Sequence, residues 1–198
     1  MIQDQESILD SLKASTPRKQ LAFALLVFER MLPSLLVFSK DTGRDDSCFL
    51  QAKDSGWHAL QERQEQSVYE SLKDSCLENT PDTEAFSHDL TSDALNAALV
   101  MVDIMEFILD GRVDHIAAIL RLATDSVSLY LSNLDTLIVS SPQGDDWIAA
   151  HPIMQQEIHR EEEDIIFLAC LPDEFDSRTI SALRARATSQ PPVRPFTR

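Results

Sequence analysis

The sequence predicts an all-α protein, a single-domain multi-helix bundle of about six to eight helices with a largely buried central helix. Three observations point there. Glycine is scarce, with 4 in 198 residues, and tight β-hairpin turns draw heavily on glycine. Apolar residues recur at spacings of three and four through most of the chain, and no alternating run is long enough to demand a sheet. The breaks carry helix start and stop signals. Apolar residues make up 43% and charged residues 25%, ordinary for a soluble protein, and the chain is long enough for one domain with a core.

Ile2 to Ala14 reads as a first short helix, with Ile8, Leu9 and Leu12 at helical spacing. Thr16 before Pro17 is a start signal, a capping hydroxyl followed by proline at the first helical position. From there to Lys40 apolar residues cover almost the whole circumference, which marks a helix buried on most sides. Pro33 should kink or divide it. A helix from about Asp46 to Asp54 follows. "SGWHALQERQEQSVYESLKDSCLEN" gives another, with Trp57, Leu60, Val68, Leu72 and Cys76 along one stripe.

"NTPDTEAFSHDL" is a break, after which Thr91 or Ser92 can cap a helix with a wide apolar face, Leu95 to Leu109. Gly111 suits the left-handed residue that ends it, and the "DGR" turn folds the next helix, from Val113, back as an antiparallel hairpin. "SSPQGDD" is a second break. Pro152 opens the helix of "HPIMQQEIHREEEDIIFL", and "LPDEFD" opens a last short one. "QPPVRPF" is proline-rich without a core signal, so the domain is drawn at 1–187 and a tail at 188–198.

The formal charge is −16, which argues against sequence-independent nucleic-acid binding and against an anionic membrane surface. Five of the 17 basic residues follow Asp176 and none of the 33 acidic ones do, leaving 12 against 33 in residues 1–176, a net of −21. The arginine-bearing end is either a solvated helix and tail or a segment that docks on the acidic body of this or a second copy. Three cysteines, Cys48, Cys76 and Cys170, form no CxxC pair and imply neither disulfide framework nor zinc knuckle. The N-terminus has no signal-peptide pattern, and Glu29, Arg30 and Pro33 interrupt the most apolar run, so a cytoplasmic location without a membrane span is expected.

The helix after Pro152 packs two histidines and five carboxylates into 18 residues. With Ile158 at the centre of the buried face, Met154, Ile165, Ile166, Leu168 and Ala169 fall near it, Arg160 and Glu163 point to solvent, and Glu157 and Asp164 lie on a flank. His159 with Glu163 and Arg160 with Asp164 are spaced for surface pairs. Neither HxxxH nor paired ExxH spacing occurs, so no metal or cofactor is expected here. Glu161 and Glu162 lie in or beside the stripe. Each reads first as a buried ion pair with Arg30 or Arg121, next as an edge carboxylate, last as a catalytic acid.

Asp93, Asn96, Asp103 and Asp110, with Glu106 near, read as the wet side of a helix, and His115 as a helix-start residue. Glu29 and Arg30 sit inside an apolar helix, as packing contacts or as a polar pocket at Pro33. No GxSxG, phosphate loop or HExxH is present, so no catalytic residue is assigned.

Three segments, "FERMLPSLLVF", "TPDTEAF" and "HPIMQQE", resemble the bacterial YjaG-like family, domain of unknown function number 416, over residues from about 18 to 170. The resemblance implies an all-helical bacterial protein of no established activity, with a suggested link to histidine-kinase signalling. The motif positions are Glu29, Arg30, Met31, Leu32, Pro33, Thr80, Pro81, Asp82, Thr83, Phe86, His151, Pro152, Met154 and Glu157. After Glu157 the family continues with an aromatic and an amide, where this chain has Arg160 and Glu161. The expectation is a non-enzymatic protein-interaction domain, partner unknown, a homodimer among the options. The alternative is an enzyme or metal-binding bundle using interior carboxylates.

Overall fold

Thr16 accepts a hydrogen bond from the Lys19 N–H at 3.4 Å, Pro17 follows at the first helical position, and the helix then runs unbroken to Thr42. The computed structural model describes residues 3–134 and 143–194. Among them are nine helices and no strand. They are α1 (Gln3–Lys13), α2 (Pro17–Thr42), α3 (Ser47–Ala59), α4 (Gln66–Glu78), α5 (Thr91–Asp110), α6 (Val113–Leu134), α7 (Gly144–Ala150), α8 (Pro152–Ala169) and α9 (Ser177–Ser189). The fold is all-α, with a helix count slightly above the expected six to eight.

Helix α2 is the central element. Every residue from Ala22 to Phe28 has no exposed surface, because α1, α3, α5, α6, α8 and α9 all pack on it. The helix has the length and composition of a membrane span, yet its surface is taken up by these neighbours. Pro33 lies inside α2 and does not divide it. Helix α5 is the second hub, in contact with α2, α3, α4 and α6. Burial of its Ala94, Ala97, Met101, Ile104 and Met105 with α2 forms the middle of the core at roughly 25 cal/mol per Å² of apolar surface removed from water.

The expected helix across Ser55 to Asn79 is two helices. Trp57 and Leu60 are buried at the end of α3, and the polar run Gln61–Glu65 then leaves the helix. Two hydrogen bonds hold that corner. The Gln64 N–H donates to Tyr69 Oη at 2.9 Å, and Arg63 donates to the Ile108 carbonyl at 2.8 Å. The expected break at "SSPQGDD" is a helix from Gly144 onward, while residues 140–142 and the end of the expected Val113–Ile138 helix lie outside the described residues. Thr91 does not cap α5. Leu90 takes that position, and the Thr91 hydroxyl donates to the His88 carbonyl at 2.8 Å.

Gly111 ends α5 at φ 72°, its N–H donating to the Phe107 carbonyl. A Cβ here meets nothing within 4 Å, so only the left-handed backbone opposes a side chain. Gly111→Ala is therefore expected to destabilise by about 1 kcal/mol, read as a lower urea midpoint at unchanged m-value.

Candidate functional site

Glu157, Glu161 and Asp164 share one face of α8 with Met154, Ile158 and Leu168, all of them buried. That stripe packs on α2, where Arg30 is fully buried. The Arg30 guanidinium organises the contact. Its Nε donates to Glu157 Oε1 at 3.0 Å. Its Nη1 donates to Asp164 Oδ2 at 2.6 Å and to Gln190 Oε1 at 2.8 Å. Burial opposes its charge, but Glu157, Asp164 and Glu161 together outweigh that and raise its pKa.

Two further arginines close the network. Arg160 donates to Glu157 Oε2 at 3.2 Å and Arg186 donates to Asp164 Oδ1 at 2.6 Å. Gln190 Nε2 adds a bond to Asp164 Oδ1 at 2.9 Å. Glu161 is different. It has no exposed surface, and neither of its oxygens has a hydrogen-bond partner. Burial first, then the negative charge of Glu157, hold its carboxyl well above the ordinary range, with Arg30 pulling the other way.

Several expectations about α8 need correction. Arg160 is buried rather than solvated and pairs with Glu157, not Asp164. Glu157 and Asp164 lie in the core rather than on a flank. Ile166 is 66% exposed and Ala169 exposed, so the stripe continues through Leu168 with half-buried Ile165 packed beside the core. Glu162 is on the surface beside His159, and of the two proposed partners for Glu161 only Arg30 exerts its charge there.

The motif positions do not form one site. Arg30 and Glu157 meet. Glu29 instead accepts from Trp57 Nε1 at 3.0 Å and lies 3.7 Å from Lys53 Nζ. His151 caps α8 by accepting the Ile153 N–H at 3.2 Å, with Pro152 next and the Trp147 ring 4.9 Å away. Pro81 is buried, whereas Asp82 and Thr83 are exposed in the loop before α5, Asp82 accepting the Glu84 N–H at 2.9 Å. Pro33 is half-buried within α2.

The acids of α5 are not simply its wet side. Asp93 and Asn96 are buried, Asp93 against Arg194 and Asn96 against Ser126 at 3.0 Å. Lower down, His115 is more than a helix-start residue. Its Nδ1 lies 3.2 Å from Asp103 Oδ1 and 3.3 Å from Glu106 Oε2, and its Nε2 lies 3.1 Å from Asp110 Oδ2. Asp103, Glu106 and His115 bring one ligand atom each within 4.8 Å, from i,i+3 spacing on α5 and the hairpin at Gly111.

Burial lowers the His115 pKa, but hydrogen bonds and charge from Asp110 and Asp103 outweigh it and raise the net value above 6.5. The folded state thus holds its proton more tightly than the unfolded chain. The resulting stability is complete below the ordinary histidine range and is lost as pH rises through the raised value. An NMR titration should show His115 titrating above the ordinary histidine value, and Asp103→Asn should bring it down.

An open groove of about 730 Å³ lies between α1, α6, α7 and α8. Its floor holds Leu120 and Met154, both buried, beside Leu9 and Ile148. Its rim carries Asp125, Asp145 and Asp146 against Arg121, all exposed. None of Arg30, Glu157, Glu161 or Asp164 lines this groove.

A comparison with curated proteins finds no match. The chain is similar to a solved DUF416 family protein from Shewanella baltica OS155, with a TM-score of 0.80 at 20% identity, covering 91% of this chain and 92% of that one. At that identity the likeness shows the fold. The family profile described as "Protein of unknown function (DUF416)" matches residues 7–191, nearly the whole bundle, and the chain belongs to that family.

Proposed function

We propose that this protein is a non-enzymatic interaction domain whose open groove takes a basic amphipathic segment of a partner protein. The carrying observation is the groove between α1, α6, α7 and α8, with an aliphatic floor and three aspartates against one arginine on its rim. Its volume lies in the range of ligand sites, about 300–1,000 Å³. The interior carboxylates support the same reading. Glu157 and Asp164 are consumed by arginines, so neither is available as a general base. A helix with apolar residues on one face and Lys or Arg beside them complements such a groove.

A labelled Leu/Lys-patterned helical peptide provides the test. Binding is expected at low salt, to weaken several-fold at ~0.3 M salt, and to be lost in Asp125→Lys/Asp146→Lys. Equal binding by that variant would sink the groove reading. The second reading, a metal-binding bundle, has one observation in its favour, the convergence of Asp103, Glu106 and His115. Elemental analysis of native-purified protein decides it, since a stoichiometric divalent metal lost in His115→Ala would favour that reading. Light scattering on the same sample shows whether the partner is a second copy.

A further inference from the structure

We infer that the face holding residues 190–194 is a receptor for proline–arginine peptides, occupied here by the chain's own C-terminal segment as a displaceable ligand. Gln190 leaves α9 at φ −79° and ψ 139°, the values of a polyproline II strand. Pro191 and Pro192 fix the following φ angles, so the segment approaches already extended, with little entropy to lose.

Four separate parts of the bundle then read it. Arg160 Nη1 donates to the Pro191 and Pro192 carbonyls at 3.4 and 3.5 Å. The Val193 N–H donates to the Arg30 carbonyl at 3.0 Å. The Val193 side chain is buried. Arg194 donates to the Asp89 carbonyl at 2.8 Å and to Asp93, and its guanidinium lies 5.3 Å from the centre of the Tyr130 ring. Backbone contacts, one apolar pocket and one cation clamp are the parts of a site that recognises an extended peptide.

The present occupant does not satisfy the clamp. Asp93 is buried, yet its Oδ1 has no hydrogen-bond partner while Oδ2 takes Arg194. An arginine that reaches both oxygens in fork geometry would bind there more strongly. The seat shares no residue with the α1–α6–α7–α8 groove, so failure of either assignment leaves the other standing.

The probe is a fluorescein-labelled peptide with the sequence of residues 187–194, followed by anisotropy. In the wild type the tethered segment competes at an effective concentration on the order of mM, so labelled peptide binds weakly. The full-length Val193→Asp/Arg194→Glu variant is expected to release its own segment and bind the peptide at least ~10-fold tighter. A peptide with Glu in place of the arginine should not bind. Amide exchange at position 193 reports release. A folded variant that releases its segment but binds no peptide overturns the proposal, as does one that keeps the segment docked. If the variant does not fold, peptide in excess over the tethered segment must speed Val193 amide exchange in the wild type. An unchanged rate there also overturns it.

Discussion

Arg30→Ala is expected to destabilise the fold by about 3–5 kcal/mol, a large part of the roughly 5–15 kcal/mol available to such a domain. The cause lies in what the substitution leaves behind more than in what it removes. Glu157 and Asp164 are buried, and a buried carboxylate without its cation must either find water or take up a proton. Arg160 and Arg186 hold one oxygen of each acid from the far side, so the network is weakened rather than abolished. Arg30→Lys should recover only a fraction. One ammonium cannot present Nε to Glu157 while presenting Nη1 to Asp164 and Gln190. Urea unfolding gives the answer, and a loss of under about 1 kcal/mol for Arg30→Ala would mean that the pair adds nothing net. The same measurement on Arg30→Met/Glu157→Leu/Arg160→Met/Asp164→Leu/Arg186→Met should show a much smaller loss, since the arginines that hold the two acids leave with them and no ion of the pairs stays behind without its partner.

The bundle was legible because its signals are local. Thr16 and Pro17, Gly111, and Pro152 mark helix ends through backbone geometry, which a sequence displays directly, and the structure puts ends at each. Continuous apolar coverage from Leu21 to Phe28 could only be a helix packed on all sides. The interior charges were less legible for an equally physical reason. Glu157, Glu161, Asp164 and Leu168 follow one another at four, three and four residues, the spacing of a buried stripe. Read by polarity alone, acids at such positions move to the flank. The arginines of α2 and α9, more than 20 residues away in sequence, together with Arg160 of α8 make their burial tolerable. Arg160 was misplaced for the same reason, because its partners at Pro191 and Pro192 belong to a segment with no helical period. His115 and Asp103 come together only through the hairpin at Gly111, so neither spacing alone announced them. The split at Gln61 was hidden because Trp57, Leu60, Val68 and Leu72 continue one period across a corner held by tertiary hydrogen bonds.

Glu161→Gln is expected to leave stability nearly unchanged below the ordinary glutamate range and to raise it progressively as pH climbs above that range. The sign follows from the folded-state pKa. Burial, with Glu157, Asp164 and Glu162 adding negative charge, holds the Glu161 carboxyl well above its ordinary range against the pull of Arg30. The unfolded chain releases this proton near the usual glutamate value, about 4.3. Between that value and the raised one, the folded state carries one more proton than the unfolded state. Stability therefore falls by about 1.4 kcal/mol for each pH unit in that window. Glutamine keeps the neutral shape and has no proton to lose, so the wild type minus variant difference isolates Glu161 from His115, Asp93 and Asp103, whose raised values are common to both proteins. The effect should extend to the C-terminal segment. A charge on Glu161 would sit against Glu157 and Asp164, and Asp164 is the acid that holds Gln190 and Arg186. Crowding three carboxylates around Arg30 weakens the anchor from which residues 190–194 reach across the bundle. Val193 amide exchange in the wild type should then rise with pH more steeply than base catalysis alone dictates, and Glu161→Gln should restore the ordinary slope. If both proteins show the same slope and the same pH dependence of unfolding, Glu161 is already ionised in the folded state, and Arg30 is balancing three carboxylates rather than two.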